Sequence, residues 1–392
     1  MSKVQLAEGV YWVGAVDWDI RNFHGYSTPR GTTYNAFLII DEKIALIDTV
    51  KTPFFGEMLR RITEIIDPGK IDYIISNHVE MDHSGALPMM MQEAGNAELV
   101  TSERFGEAGL RKHFGFEGPM IAVKEGSELD LGKRKLAFVP IPMLHWPDSM
   151  VTYSAHDEIL FSSDAFGQHL ATSQRFDDEC DCAIVMQEAA KYFANILMPM
   201  GNLIPGAVKK LEGLSIKTIA PDHGVIWRSE PGKIISTYLD WAAGKTTNKA
   251  LVIYDSMWES TARMAGAIGD GLIGEGVEVK MFRLTGSDKS TIIADVLDAK
   301  ALVIGSPALN NGVFPSVAEF LCYLKGLKPK GKIGAAFGSY GWGGGATKAV
   351  TQEMEQAGIE LVEPELAFKW VPDASELAEC VEFGRRMAAK MK

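Results

Sequence analysis

A regular alternation after residue 248 constrains the fold of this chain more than any other feature. Over about 144 residues, short apolar or β-branched runs alternate five times with stretches of helical period. The runs are ALVIYD, VEVKMF, ALVIGS, KIGAAF and IELVE, and the helical stretches cover 260–274, 288–298, 315–325, 345–357 and 374–391. Parallel strands need a crossover helix between them, so this order predicts an α/β domain with a doubly wound parallel sheet.

The chain before residue 248 has a different pattern. Strand-like runs come in groups, AFLIID with KIALIDTV and KLAFVPI with VTYSA and ILFSSD, and helical stretches are interspersed at 54–66 and 84–94. This mixture predicts a sandwich of β-sheets with helices outside. A small, polar segment, GKTTNKA, separates the two patterns, so we predict one domain over 1–248 and another over 249–392.

Composition narrows the classes of function. The net charge of −12 argues against a nucleic-acid partner, and residues 1–248 hold 23 Lys and Arg against 33 Asp and Glu, a net −10. No apolar run is long enough to span a bilayer and the start MSKVQLAEGV lacks a signal pattern, so we expect no membrane partner and a cytoplasmic protein. Of the four cysteines only Cys180 and Cys182 are close together, which is too few for a thiolate iron site of the rubredoxin kind. Electrons, if the chain uses them, are expected from a separate protein.

Histidine is confined to the first part of the chain, since all eight precede residue 224. The run IDYIISNHVEMDHSGALP places His78, Glu80, Asp82 and His83 directly after an apolar strand and before a helix. Imidazole and carboxylate groups converging from such a loop suit a transition metal. A solvated loop whose Asp82 or Ser84 caps the helix is the alternative interpretation.

Three later residues strengthen the metal hypothesis. His145, Asp164 and His223 each stand at the end of an apolar strand-like run. Strand ends are where layered folds expose functional groups. Taken singly, each residue fits a packed structural role, but together with the four earlier residues they offer seven ligands.

The alternating part of the chain contains three loops that suit a flavin. The first, DSMWESTARMA, offers backbone amides at a helix start together with hydroxyls of Ser256, Ser260 and Thr261, which fits a single terminal phosphate. The other two, GSPALNNGVFP and FGSYGWGGGATK, combine glycines that allow close backbone approach with the aromatic face of Trp342. A plain helix cap is the alternative for the first loop.

The pattern HxExDH, followed by His, Asp and His at these intervals, resembles the flavodiiron protein family. The resemblance implies a metallo-β-lactamase-like αββα sandwich in which Glu80 replaces the second histidine of the hydrolases' HxHxDH. It implies that His78, Glu80 and His145 bind one iron, that Asp82, His83 and His223 bind the other, and that Asp164 bridges the two. It also places Tyr192, His24 and Tyr26 near the pocket as possible donors of protons or hydrogen bonds.

The three later loops resemble those of flavodoxin, over residues 249–392. That resemblance implies FMN, with its phosphate held by the first loop and its isoalloxazine by the second and third. The cofactor-binding residues implied are Ser256, Met257, Trp258, Glu259, Ser260 and Thr261, then Pro307, Ala308, Leu309, Asn310, Asn311 and Gly312, then Ser339, Tyr340, Gly341, Trp342 and Gly343.

Together the two resemblances imply an oxidoreductase. Electrons would pass from rubredoxin or a similar protein through FMN to a non-haem diiron site that reduces O2, NO or both, within a head-to-tail homodimer or a dimer of dimers. Two alternatives are a dimetal hydrolase with a regulatory flavodoxin domain and an electron carrier whose metal part is only a scaffold.

Overall fold

The structure is a computed structural model that describes residues 4–392. The chain packs into two compact units. The first contains the residues up to Tyr192 together with Asn202–Leu239, and the second contains Phe193–Gly201 together with Asp240–Lys392. The predicted boundary between residues 248 and 249 stays a prediction.

The first unit is built on two sheets. One has the strand order β1-β2-β7-β8-β9-β10-β11 and the other the order β12-β13-β14-β15-β16, while β3 pairs with β6 and β4 with β5. The strands are β1 Val4–Ala7, β2 Val10–Trp12, β3 Ala15–Asp17, β4 Asn22–Phe23, β5 Tyr26–Ser27, β6 Thr32–Tyr34, β7 Phe37–Ile40, β8 Ile44–Ile47, β9 Tyr73–Ser76, β10 Glu98–Ser102, β11 Met120–Val123, β12 Glu128–Asp130, β13 Lys135–Pro140, β14 Met150–Ser154, β15 Ile159–Ser163 and β16 Thr218–Pro221. The helices are α1 Phe55–Thr63, α2 Met81–Ser84, α3 Leu87–Ala94, α4 Gly106–Phe114, α5 Cys182–Tyr192, α6 Ile204–Lys210 and α7 Pro231–Ala242, the last continuing into the second unit.

Two apolar layers hold this unit together. Alternate residues of β7 and β8, such as Phe37 and Ile47, pack against Phe138 and Phe161 of the second sheet and form the layer between the sheets. The opposite face of the first sheet packs against side chains of α1, α3 and α4, including Met58, Met90 and Leu110. Because side chains on a strand alternate between faces, the central strands β7, β8, β9 and β10 of the first sheet serve both layers. The predicted sandwich of sheets with helices outside is confirmed.

The second unit is a doubly wound parallel sheet. Its main order is β18-β17-β19-β21-β22, which is the order 2-1-3-4-5, with β20 paired to β19 and β23 to β21. The strands are β17 Thr247–Tyr254, β18 Glu278–Arg283, β19 Ala299–Leu309, β20 Gly312–Val313, β21 Ile333–Tyr340, β22 Glu360–Leu361 and β23 Leu366–Lys369. The helices are α8 Ser260–Gly274, α9 Lys289–Val296, α10 Pro315–Leu327, α11 Ala346–Gln356 and α12 Ala374–Lys390.

The predicted alternation is confirmed in this unit, and its last strand differs in detail. The central strands β17 and β19 are buried along both faces, which is why their sequences are continuous apolar runs. The fifth strand position is split, because β22 and β23 both pair in parallel with β21. The periodicity predicted β22 and missed β23.

Two expectations from composition can be compared with the structure. No helix in the described residues combines the length and the apolar character needed to cross a bilayer. All four cysteines are free, Cys182 and Cys322 being exposed and Cys380 buried.

Candidate functional sites

The HxExDH motif occupies the turn between β9 and α2. Helix α2 is a single turn, so Asp82 and His83 both point into the unit and are buried. The carbonyl of His78 accepts a hydrogen bond from the Ser84 hydroxyl at 2.8 Å, which closes the turn on itself. The motif is therefore held as a compact loop at the end of a buried strand.

The three later residues come from the second sheet. His145 lies in the connection between β13 and β14, Asp164 directly follows β15, and His223 follows β16. Gly224 makes the last position possible, because its φ is +82° and a Cβ there would meet Gln168 Oε1 at 1.7 Å. The structure thus brings all seven predicted ligands together at one edge of the sandwich.

The seven side chains form two groups that share Asp164. In the first group His145 Nε2 lies 3.1 Å from Glu80 Oε2 and 3.1 Å from Asp164 Oδ2, and His78 Nε2 lies 3.2 Å from Glu80 Oε2. In the second group His223 Nε2 lies 3.0 Å and His83 Nε2 3.3 Å from Asp82 Oδ2. Asp164 faces the first group with Oδ2 and the second with Oδ1, which lies 3.1 Å from His83 Nε2. One carboxylate with an oxygen toward each group is the geometry of a bridging ligand.

The carboxylates of this cluster need nearby positive charge to remain ionised. Burial by itself would raise the pKa of Glu80, but hydrogen bonds from His145 and His78 outweigh burial and lower it to about 2. Burial would lower the pKa of His78, but hydrogen bonds to Asp148 and Glu80 raise it to about 10. The carboxylates of Glu80, Asp82 and Asp164 are therefore neutralised either by protons on the imidazoles or by metal ions, and metal binding would release those protons.

Orphaned polar atoms show that the cluster fits metal ions. Among the described residues, several buried side-chain atoms that face the cluster lack a well-formed hydrogen bond, namely both carboxylate oxygens of Asp82, Asp164 Oδ2 and the Nε2 atoms of His83, His145 and His223. Buried polar atoms are normally satisfied, so an orphaned set that converges marks a place for another group. Mixed imidazole and carboxylate donors in two groups suit a pair of divalent transition metals.

The predicted neighbours of the cluster take different positions. The Tyr192 hydroxyl donates to Asp164 Oδ1 at 2.8 Å. His24 Nδ1 lies 3.2 Å from Glu80 Oε1 and its Nε2 lies 3.9 Å from Asp82 Oδ2. His24 and Gly25, with φ of +53° and +79°, form the turn of the β4-β5 hairpin, as a two-residue hairpin requires. Tyr26 is buried, and its ring lies 5.5 Å from the ring of His169.

Several further groups surround the cluster. His78 Nδ1 meets Asp148 Oδ2 at 2.9 Å, His83 Nδ1 lies 3.3 Å from Asp222 Oδ2, and His223 Nδ1 donates to the carbonyl of Thr33 at 2.7 Å. His169 is buried, and burial together with the neighbouring His223 and His24 holds its pKa well below 6.5. The only sequence signal was position, because Asp148 follows His145 by three residues and Asp222 directly precedes His223.

The second unit holds a cavity of about 600 Å³ at the carboxyl end of its sheet. Its walls are the loops after β17, β19 and β21, together with the segment after β23 that the sequence did not predict. The lining residues are Ser256, Met257, Trp258, Ser260, Pro307, Ala308, Leu309, Asn310, Asn311, Ser339, Tyr340, Gly341, Trp342, Gly343, Trp370 and Val371. The predicted positions Glu259, Thr261 and Gly312 do not line the cavity.

Two of those three residues support the loops instead. The Thr261 hydroxyl pairs with the Ser339 hydroxyl at 2.9 Å and so joins the first loop to the third. Glu259 is exposed and pairs with Arg283, whose Nη2 also donates to the carbonyl of Ser256 at 2.8 Å.

The cavity fits FMN. Its volume lies within the range of ordinary ligand pockets, and the N-terminus of the long helix α8 together with the Ser256 and Ser260 hydroxyls suits a phosphate. The indole rings of Trp258 and Trp342 stand 82% and 91% exposed at its rim and offer faces to a planar ring.

Comparison with known proteins agrees with both sites. Residues 32–224 match the model of the ODP family beta lactamase, and residues 252–384 match the model of flavodoxin. The nitric oxide reductase of Moorella thermoacetica is 49% identical over 99% of this chain and 98% of its own length. The structure of rubredoxin oxygen:oxidoreductase from Desulfovibrio gigas matches with a TM-score of 0.97 at 39% identity, covering 100% of this chain and 98% of that one. The flavodiiron protein from Giardia intestinalis matches with a TM-score of 0.97 at 37% identity, covering 100% and 97%.

The fold and the sites define a class, a β-lactamase-like metal unit joined to a flavodoxin unit in one oxidoreductase chain. The chain belongs to the flavodiiron protein family. Its cofactors are FMN in the flavodoxin part and a non-haem diiron centre in the β-lactamase-like part. The predicted family, fold class and cofactors are confirmed, and the hydrolase alternative is not supported.

Proposed function

We propose that this protein takes electrons from a small redox protein such as rubredoxin and reduces dioxygen, nitric oxide or both. The observation that carries the proposal is the convergence of seven candidate ligands, five of them buried and Glu80 and His145 partly buried, in two groups joined by Asp164, in a chain that also contains an FMN cavity. When bound, FMN accepts and releases single electrons, and two irons supply electrons and Lewis acidity to a small diatomic molecule.

We assign the ligands by the two groups. His78, Glu80 and His145 would hold one iron, because their donor atoms lie together with Asp164 within 4.8 Å of one another. Asp82, His83 and His223 would hold the other, with Asp164 between the two. His83 is included because its Nε2 faces both Asp82 and Asp164.

Protein groups beside the cluster can assist the reaction. Burial and the neighbouring Asp164 raise the pKa of Tyr192 well above 10, so its hydroxyl stays protonated and can donate a hydrogen bond. His24 reaches Glu80 from the tip of the hairpin and is partly open to solvent. Reduction of either gas consumes protons, which makes Tyr192 and His24 the candidates for holding or passing them.

On the flavin side, the roles follow from the cavity walls. Ser256, Ser260 and the amides that open α8 would hold the phosphate, and Trp342 with Pro307–Asn311 and Ser339–Gly343 would enclose the isoalloxazine. Trp370 and Val371 complete that enclosure. The isoalloxazine site needs no charged side chain, because an aromatic and backbone surface binds a planar ring by stacking.

We further propose a head-to-tail homodimer in which the flavin of one chain serves the metal site of the other. Exposed apolar side chains accompany both sites, with Met81 and Met143 on the ligand-bearing loops at 50% and 42% exposure and Trp258, Trp342 and Trp370 around the cavity. Apolar rims of this kind are typical of surfaces that pair. We also propose a cytoplasmic location, which the four free cysteines support because disulfides are rare in that compartment.

The function is tested with protein of known iron and flavin content. Anaerobically reduced protein is mixed with O2 or NO, with reduced rubredoxin as the electron source, and gas consumption is followed for each substrate. We expect catalytic consumption of one gas or both. Consumption of neither, or turnover of a thioester or lactam by the zinc-loaded protein, would overturn the proposal.

The dimer is tested by complementation. Glu80→Ala removes a metal ligand, and Ala308→Trp fills the flavin cavity, so each variant alone is expected to be inactive. A mixed dimer contains one intact flavin site and one intact metal site on different chains. Recovery of about half the activity per pair supports transfer between chains, whereas an inactive mixed dimer with the expected cofactor content contradicts it.

A further inference from the structure

The outward nitrogens of the two motif histidines meet buried aspartates. Asp148 Oδ2 lies 2.9 Å from His78 Nδ1, and Asp222 Oδ2 lies 3.3 Å from His83 Nδ1. Both aspartates are buried, at 3% and 1% exposure, and neither points an oxygen into the groups of candidate ligands.

Coordination chemistry explains why such acceptors matter. An imidazole that binds a metal through Nε2 carries its proton on Nδ1, and a buried N–H needs an acceptor. His78 and His83 both present Nε2 to the carboxylates of the cluster. Asp148 is hydrogen-bonded to His78 and Asp222 is placed beside His83, so each aspartate stands where it would favour the tautomer and ring orientation that metal binding requires.

The two contacts cross between the sheets in a regular way. Asp148 belongs to the loop that supplies His145, and Asp222 directly precedes His223. His78 and His145 belong to the same ligand group, as do His83 and His223. Each loop of the second sheet thus contributes one histidine and fixes the other histidine of the same group.

We propose that Asp148 and Asp222 are positioning residues, each of which sets the affinity of one metal site independently of the other. The proposal rests on the proposed function only in requiring two metal sites. It assigns Asp148 to the site of His78, Glu80 and His145, and Asp222 to the site that includes His83 and His223.

The two contacts differ in strength, which predicts an order of effects. Asp148 Oδ2 also accepts from the backbone N–H of Val79 at 2.8 Å, so its carboxylate is fixed relative to the motif. The longer contact of Asp222 is not a well-formed hydrogen bond, and Asp222 Oδ2 is an orphaned buried oxygen. Removal of Asp148 is therefore expected to cost more metal affinity than removal of Asp222.

The experiment measures metal binding without turnover. The full chain is stripped of metal and titrated with Co²⁺, whose absorption reports coordination, in competition with a chelator. Wild type is expected to bind two ions. Asp148→Ala should weaken one site about 10- to 100-fold and Asp222→Ala should weaken the other by less, the usual range for outer-sphere partners of metal ligands. Asp157→Ala is the matched control, because Asp157 is a buried carboxylate of the same unit that pairs with Arg134 away from the cluster.

A second background identifies which site each aspartate serves. In the Glu80→Ala chain the remaining site should be insensitive to Asp148→Ala and sensitive to Asp222→Ala. Asp148→Asn retains an acceptor oxygen and should therefore bind metal nearly as tightly as wild type. This variant distinguishes loss of the hydrogen bond from general unfolding of the chain. Equal weakening of both sites by either variant, or no weakening beyond the Asp157→Ala control, would overturn the proposal. A wild-type chain that binds no pair of ions would instead count against the proposed function.

Discussion

The two sites of this chain differ in the charge and the burial of the side chains that form them. The metal site consists of ionisable side chains that are almost completely buried, with His78, His83 and His223 at 0% exposure. The flavin cavity, among the described residues, is lined by hydroxyl, amide, apolar and aromatic groups without a formal charge, and its tryptophans are largely exposed. One site is a buried cluster of charges and the other is an open cradle of backbone and rings.

The difference follows from what each site must do with water. Carboxylates and imidazoles can remain buried only when opposite charge and outer hydrogen bonds compensate for lost hydration. That requirement explains why the metal site is surrounded by fixed partners such as Asp148 and the Thr33 carbonyl. A flavin ring needs only a flat apolar surface, and the phosphate finds its partners at a helix start, so this site does not require buried charge.

The comparison predicts that damage to one site leaves the other intact, and the largest effect is expected at Glu80. Glu80→Ala removes a carboxylate that two histidines of the first group contact, so that chain should lose about one metal ion. We expect gas turnover to fall about 100-fold or more, since loss of a Lewis acid costs several kcal/mol of barrier. Metal analysis and flavin absorbance of the purified protein provide the measurement.

Glu98→Ala, at an exposed carboxylate of β10, is the control for that substitution. It should change neither metal content nor turnover. Retention of two irons and full turnover by Glu80→Ala would show that the ligand assignment is wrong.

A smaller effect is expected at Trp342, where a substitution should weaken flavin binding and leave metal binding unchanged. Trp342→Ala removes a stacking surface, which is worth about 0.5–1.5 kcal/mol, so the Kd for FMN should rise by up to about tenfold while metal content stays the same. Fluorescence titration of the flavin-free chain measures this. Trp18→Ala removes an exposed tryptophan of the metal unit and should leave FMN affinity unchanged. An effect of Trp342→Ala on metal content would contradict the independence of the sites.

A third effect concerns the free energy of unfolding and a buried lysine of the flavin unit. In the flavin unit, burial lowers the pKa of Lys332 to about 7, and its amine donates to the carbonyls of Leu297 and Ala299. Between pH 7 and 10.5 the unfolded chain holds a proton at this lysine that the folded chain has lost. The free energy of unfolding should therefore rise with pH across that window, by at most about 1.4 kcal/mol per unit.

Lys332→Met should flatten this dependence, because the titrating amine is gone. Urea unfolding at pH 7, 8.5 and 10 for both proteins measures the difference in slope. Parallel curves for the two proteins would show that Lys332 is charged in the folded state at neutral pH.

The seven candidate ligands could be singled out from the sequence because their chemistry is concentrated there. Four ionisable residues within six positions after a strand, and three more at later strand ends, have few neutral explanations when taken together. The outer partners were not predictable. Asp148 lies 70 residues from His78 in sequence, and an aspartate near a histidine is ordinarily a turn or cap residue. Trp370 and Val371 were not predicted for a similar reason, because the short strand β23 that precedes them has no periodicity of its own.

Local pattern alone was enough to set the class of each part of the chain, the identity of the seven candidate ligands and the three loops of the flavin site, because period and residue chemistry act within a few positions. Tertiary packing decided the rest: that Asp164 faces both ligand groups, that Asp148 and Asp222 reach histidines from another sheet, and that Phe193–Gly201 belongs with the second unit. These are contacts between residues far apart in sequence, and their partners are chosen by how whole sheets pack and not by any local preference.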